Sequence, residues 1–118
     1  MPRFLAVMTG SAEARERSGF DILPDADREA REMAGRAAWG QWMQVNAHRL
    51  VDGGGPLGVT KRVDPNGVAD ASNNLAAFVL FEADSHEEAA ALFIDHPHFA
   101  IFPGEAVEVM PILPVPGA

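Results

Sequence analysis

The sequence predicts an α+β domain in which a four-stranded antiparallel sheet carries two helices on one face. Three observations lead to this prediction. The runs 3–9 and 75–81 are apolar at odd and even positions alike, and because strand side chains alternate, both faces of each strand are hydrophobic. After Pro24, apolar side chains recur at spacings of three and four, the pattern of an amphipathic helix. A second helical segment opens near Ser85 and leads to a last apolar run at 106–112.

Length and composition restrict the classes of function. At 118 residues the chain has room for one domain, 1–118, with its own core. A net charge of −8, with no basic cluster beyond Lys61-Arg62, argues against nucleic acid and anionic membranes as partners. The absence of cysteine removes thiol chemistry, disulfides and zinc–thiolate sites. No apolar run is long enough to cross a bilayer, and the first residues lack an export signal, so we expect a soluble, cytoplasmic protein without a cofactor.

The first half of the chain is predicted to form a strand, a loop and a long helix. Strand 3–9 is followed by a loop to Pro24 that contains one helical turn near residues 12–17. Asp25 or Asp27 is placed to cap the long helix. The apolar stripe expected to lie on the sheet comprises Ala26, Ala30, Met33, Ala34, Ala37, Ala38 and Val45. Gln41 and Gln44 interrupt that stripe, Trp42 borders it and Trp39 lies away from it.

The second half is predicted to add a hairpin, a strand, a helix and a strand. Residues 48–52 lead from the helix into a strand, and Gly53-Gly-Gly-Pro56 reads as a sharp turn that uses positive φ. Segments 57–63 and 68–71 flank a turn and form a hairpin. Ser85 and Glu88 match a capping box, in which each side chain bonds the other residue's backbone N–H, and Pro97 is expected to end the helix that follows.

This order of elements is that of a ferredoxin-like βαββαβ fold, whose first and third long strands are central neighbours. Those are the two strands with apolar residues on both faces. The helices cover one face only, and an exposed apolar sheet is a large patch for a monomer. Since most soluble oligomers are two-fold symmetric, we expect a homodimer that packs sheet against sheet.

Several segments resemble the YCII-related family. Residues 95–112 are similar to that family's ending, where a short aromatic segment and a glycine precede a Val-Glu-Val-x-Pro strand. Residues 49–56 are similar to its Arg-Leu followed by Gly-Pro, and residues 39–42 to the helix of relatives that carry an Asp-Gly-Pro-Phe motif. The resemblance implies a dimeric α/β barrel. The family's helix histidine and following aspartate, a catalytic pair in some members, fall on Ala37 or Ala38 and on Asn46 here, so that chemistry is not implied, and the Asp-Gly-Pro-Phe motif itself is absent.

Two histidine-containing groups are candidates for chemistry. His96 and His98 could bind a metal or move protons, but they lack a third ligand at a recognisable spacing, so we interpret His96 as contacting carbonyls at its helix end and His98 as packed or solvated, with no metal site. His48 and Asp52 are placed to act as acid and base near the exit of the long helix. The simpler interpretation is an exposed histidine and a turn-forming aspartate.

The sequence is compatible with three hypotheses of function. The first is a dimeric α/β barrel that binds a small apolar or aromatic molecule between sheet and helix, near strands 3–9 and 75–81. The side chains expected beside the ligand are Trp42, Gln41, Gln44, Asn46, His48 and His98. The second is a cofactor-independent lyase, isomerase or hydrolase-like enzyme that uses His48 and Asp52. The third is a structural or regulatory dimer without a ligand.

Overall fold

The computed structural model describes residues 1–117 and contains the predicted elements in the predicted order. The strands are β1 (Arg3–Thr9), β2 (Leu50–Pro56), β3 (Thr60–Asp64), β4 (Gly67–Ala71), β5 (Leu75–Glu82) and β6 (Ala106–Pro111), and the helices are α1 (Ala12–Ser18), α2 (Asp25–Val45), α3 (His86–Ala91) and α4 (Pro97–Ala100). Short 3-10 turns at Phe20–Ile22 and Ala47–Arg49 precede α2 and β2 respectively. No helix among these residues is both long enough and apolar enough to span a membrane.

The main sheet has the strand order β2-β5-β1-β6, with every neighbouring pair antiparallel. The two strands that are apolar on both faces, β1 and β5, are the central neighbours, which confirms the predicted α+β, ferredoxin-like class. On the helix side, Phe4 pairs with Phe81 and Ala6 with Val79, and these side chains join Phe93 in the buried core. Partly buried Trp39 and Trp42 of α2 pack on the same cluster.

The opposite face of the central strands carries apolar residues that no helix covers. Leu5 pairs with Leu80 and Val7 with Phe78, so the register places these four side chains on the face away from the core cluster. Leu5, Phe78 and Leu80 are only partly buried, and Met110 beside them on β6 is 40% exposed. The predicted sheet-to-sheet dimer would cover this face.

Helix α2 is rotated about its axis relative to the prediction. Ala38 alone of the predicted stripe is partly buried, whereas Met33 is 65% and Val45 61% exposed. The residues that α2 turns toward the protein also recur at spacings of three and four, and they are Arg28, Arg31, Glu32, Gly35, Ala38, Trp39, Trp42, Met43 and Asn46. Burying two tryptophans removes far more apolar surface from water than burying several alanines, so the tryptophans set the rotation of the helix.

One predicted helix boundary and one predicted cap are wrong. Pro24 occupies the N-cap position of α2 and no side chain caps it, so neither Asp25 nor Asp27 has that role. Helix α3 ends at Ala91, well before Pro97, which instead stands in the first turn of α4, where a missing N–H costs nothing.

The capping box at the start of α3 forms only in part. Ser85 Oγ accepts from the Glu88 N–H at 3.1 Å, as predicted. The Glu88 carboxylate does not complete the box but forms an ion pair with Arg49, at 3.2 Å. The Glu88 carboxylate therefore pairs with the guanidinium of Arg49, which lies far away in sequence, and not with the Ser85 N–H.

The glycine run belongs to an edge strand and not to a sharp turn. Residues 53–55 lie inside β2, whose pairing with β5 is interrupted by register shifts typical of bulges. Gly54 does have a positive φ of 66°, and a Cβ built on it would lie 1.8 Å from the Phe78 carbonyl oxygen. Glycine is therefore required there because two backbones approach closely.

The β3–β4 hairpin forms its own two-stranded sheet and projects from the body of the protein. The Cα radius of gyration is 16.3 Å, whereas a compact chain of this length has about 13–14 Å. Val63 and Val68 pair across the hairpin and are 74% and 69% exposed.

Candidate functional site

A cleft of about 510 Å³ lies between α2 and the sheet. Helix α2 forms one wall, strands β2 and β5 form another, and His98 of α4 and Phe102 add to the lining. The lining residues are Met8, Arg36, Trp39, Gly40, Trp42, Met43, Gly53, Gly55, Pro56, Ala76, Ala77, Phe78, Val79, His98 and Phe102. The volume is in the range of about 300–1,000 Å³ that is usual for small-molecule sites, and most of the lining is apolar.

Both tryptophans of the chain line this cleft, and the fold fixes their positions. The Trp42 indole N–H donates to the Leu92 carbonyl at 2.8 Å, and its ring packs on Phe93 with the ring centroids 5.0 Å apart. The Trp39 ring meets that of His96 edge to face at 4.7 Å. Two planar aromatic surfaces are thus held on one side of the cleft without needing a ligand to order them.

His98 is the polar side chain best placed to act on a ligand. It is buried, and its Nε2 lies 2.7 Å from the Thr9 carbonyl oxygen. Because a carbonyl oxygen can only accept, Nε2 must carry the hydrogen, which leaves a lone pair on Nδ1. Burial lowers the pKa of His98, and the bond to Thr9 opposes that shift. The imidazole is therefore neutral near pH 7, and Nδ1 is the acceptor that it can offer to the cleft.

His96 lies behind the aromatic wall and is sealed from solvent. Its Nδ1 accepts from the His98 backbone N–H at 3.0 Å, while its Nε2 has no hydrogen-bond partner among residues 1–117. Burial, followed by the proximity of His98, lowers the pKa of His96 to about 4. Within the described chain no three histidine or acidic side chains cluster as a metal site would require. The structure therefore ties both imidazoles to backbone groups.

The predicted ligand-binding residues separate into two sets. Trp42 and His98 line the cleft, whereas Gln41 and Gln44 are exposed and are not part of its lining. Asn46 is also outside the lining: it is buried at the C-cap of α2, where its Nδ2 donates to the Trp42 carbonyl at 2.9 Å.

The predicted acid–base pair does not come together. His48 and Asp52 are both exposed, and no hydrogen bond or ion pair joins them in the part of the chain that the structure describes. Asp52 Oδ1 accepts from the Gly54 N–H at 2.8 Å, which is a turn-type role. Their acid–base function stays a prediction, and their position outside the cleft lining does not favour it.

Residues that the sequence reasoning missed include Arg36, Trp39 and Phe102, whereas Met8 belongs to the first strand, which was expected to lie near the ligand. One signal could have identified part of this set: Arg36, Trp39, Gly40 and Met43 have the spacing of one helix face and include an aromatic ring and a charge. Phe102 comes from a distant part of the chain, and no local pattern connects it to that face.

Comparison with known proteins supports the fold. No protein-family model matches the sequence, and no curated protein matches it either. Among solved structures the chain is similar to 5-chloro-2-hydroxyhydroquinone dehydrochlorinase (TftG) from Burkholderia phenoliruptrix AC1100, in complex with 2,5-dihydroxybenzoquinone. The TM-score is 0.54, with 16% identity over 92% of this chain and 90% of that chain. At this identity the likeness concerns the fold alone.

Proposed function

We propose that this chain is a YCII-related, dimeric α/β-barrel protein that binds a small apolar or aromatic molecule in the cleft between α2 and the sheet. The observation that carries the proposal is a cleft of about 510 Å³ walled by Trp39 and Trp42, with one fixed polar group, His98. Apolar walls with a few placed polar groups are typical of small-molecule sites. The structural neighbour, whose bound molecule is a small hydroxylated quinone ring, is consistent with this choice.

The two tryptophans provide a direct test, because each gives one indole N–H signal in a ¹H–¹⁵N spectrum. We expect 2,5-dihydroxybenzoquinone or a naphthalene probe to shift these signals saturably. Gly40→Leu should abolish the shift, since Gly40 lines the cleft and a side chain there has open space to enter. Ala37→Leu is the matched control, because Ala37 is exposed on the same helix and outside the lining.

The proposal fails if no probe perturbs the indole signals at millimolar concentration. It also fails if both leucine variants bind like the wild type, because the probe would then occupy another surface.

A second candidate, a cofactor-independent enzyme, is favoured by one observation. The bond from His98 Nε2–H to the Thr9 carbonyl fixes a single tautomer, which leaves a free lone pair on Nδ1 of a residue that lines the cleft. In a dehydrochlorination the substrate loses a proton and a chloride ion, and this nitrogen would accept the proton. Chloride release from 5-chloro-2-hydroxyhydroquinone in the presence of the protein, and its loss in His98→Gln, would support this function. Equal release by the variant would exclude His98 as the base.

The oligomeric state and location are parts of the same proposal. The uncovered apolar face of β1 and β5 supports a homodimer through the sheets, since such a face is costly to leave in water. A cytoplasmic location stays a prediction.

A further inference from the structure

The charges around the cleft differ from those of the protein as a whole. The chain has 17 acidic and 9 Lys and Arg residues, yet no carboxylate belongs to the described lining of the cleft. Arg36 lines it and carries the one formal charge there, because His98 is neutral near pH 7. The acid nearest in sequence to the lining glycines, Asp52, is already bonded to the Gly54 N–H. The one formally charged side chain in the apolar lining is thus positive, in a protein whose net charge is −8.

Arg36 also differs from the other arginines of α2. Arg28 forms an ion pair with Asp25, and Arg31 Nε donates to the Ile101 carbonyl at 2.9 Å. Within residues 1–117, Arg36 makes neither an ion pair nor a side-chain hydrogen bond. Packing of the fold therefore does not use its guanidinium group, which remains available to a ligand.

The spacing along α2 arranges the apolar and charged contacts for one ligand. Trp39 is three residues and Gly40 four residues after Arg36, so the three positions are neighbours on the helix surface. Gly40 contributes no side chain, and a Cβ there would meet nothing within 4 Å. The helix surface one turn after Arg36 is therefore open, and it belongs to the same cleft lining.

Resting on the proposed function, we propose that the cleft selects aromatic anions, with a carboxylate or phenolate bound by Arg36 and the ring packed on the tryptophans. A guanidinium group binds planar oxyanions through two parallel hydrogen bonds, and such charge-assisted bonds are stronger than neutral ones. A ligand hydroxyl, where present, donates to His98 Nδ1. Arg36 is exposed, so its guanidinium group is hydrated in the free protein. It would bind the anionic group of the ligand at the solvent-accessible edge of the cleft.

The test compares two probes of one shape, 2-naphthoate and 2-naphthalenemethanol, which differ in charge. Dissociation constants are measured from the tryptophan indole signals for the wild type, Arg36→Gln and Arg17→Gln. Arg17 is an exposed arginine of α1 outside the cleft lining and controls for the change of net charge. We expect the wild type and Arg17→Gln to bind the naphthoate about tenfold more tightly than the alcohol. Arg36→Gln should lose that preference because its affinity for the naphthoate falls by about tenfold more than its affinity for the alcohol.

The outcomes separate the inference from the function on which it rests. Equal affinity for both probes in the wild type, or a preference that survives in Arg36→Gln, overturns the anion selectivity and leaves small-molecule binding intact. Equal weakening of both probes by Arg36→Gln also overturns it, because the arginine would then act through the structure of the site. If neither probe shifts the indole signals, the inference and the proposed function both fail.

Discussion

Two glycines in α2 provide the sharpest test of how the helix is seated, because the same substitution should have opposite effects at the two positions. A glycine in a helix interior costs about 1 kcal/mol relative to alanine. At Gly40 a new Cβ would meet nothing within 4 Å. Gly40→Ala should therefore raise the free energy of unfolding by about 0.5–1 kcal/mol.

Alanine at position 35 would gain the same helix propensity as alanine at position 40, but the surroundings of Gly35 differ. It is buried, and a Cβ there would lie 2.5 Å from Phe102 Cε2. The Phe102 ring also packs edge to face on Trp39, with the centroids 6.2 Å apart, so it has to move against a neighbour. Overpacking of this kind costs about 1–3 kcal/mol. After subtraction of the propensity gain, Gly35→Ala should change stability by between about 0 and −2 kcal/mol.

Urea denaturation followed by circular dichroism and tryptophan fluorescence measures both variants. Gly35→Ala combined with Phe102→Leu is the internal control, since removing the ring should turn the alanine at 35 from destabilising to neutral or stabilising. Equal stabilisation by alanine at both glycines would refute the contact between α2 and Phe102, and with it the observed rotation of the helix.

Three further predictions follow from individual contacts. Gly54→Ala should lower the free energy of unfolding by about 3 kcal/mol or more, because it combines a positive φ with a Cβ 1.8 Å from a carbonyl oxygen. Gly55→Ala, whose Cβ meets nothing within 4 Å, should lower it by less than about 1 kcal/mol. Similar values for the two variants in urea denaturation would contradict the bulged pairing of β2 with β5. His96 has a folded-state pKa of about 4 against an ordinary value of 6.5, so between these values the unfolded chain binds the additional proton and the free energy of unfolding decreases as the pH is lowered. This loss amounts to about 3 kcal/mol, and His96→Gln should show a shallower dependence of unfolding free energy on pH; an unchanged slope would show that His96 is not buried as a neutral ring. Leu80→Glu should convert the proposed dimer to a monomer by light scattering, with Met33→Glu on the outer face of α2 as control, and a monomeric wild type at high concentration would refute the sheet-face dimer.

The main strands were predictable because their signal is local and strong. β1 and β5 carry apolar residues at both odd and even positions, so both faces of each strand are hydrophobic. A strand of that kind belongs in the centre of a sheet. The hairpin and the long helix had equally clear signals in their turn residues and periodicity. These elements depend on residues that are neighbours in sequence, so the sequence contains what is needed to place them.

The rotation of α2 could not be obtained by counting apolar positions. Alanines outnumber tryptophans on this helix, but the free energy gained on burial scales with apolar area, so Trp39 and Trp42 outweigh the alanine stripe. Gly35 strengthens this choice, because only a residue without a side chain admits Phe102 from a segment far along the chain. Phe102, whose contact with Gly35 favours this rotation, is too far along the chain for the periodicity of the helix to reveal it.

The amino-acid sequence by itself determined the fold class, the order of the elements and two members of the cleft, Trp42 and His98. Tertiary structure alone decided what those members do. His98 became a neutral ring of one tautomer because the Thr9 carbonyl of a distant strand faces it, and Arg36 became a cleft residue because α2 turned its tryptophans inward. The physical reason is that pKa values, tautomers and cleft walls arise from contacts between segments that are far apart in sequence, whereas strands and helices arise largely from the residues within them.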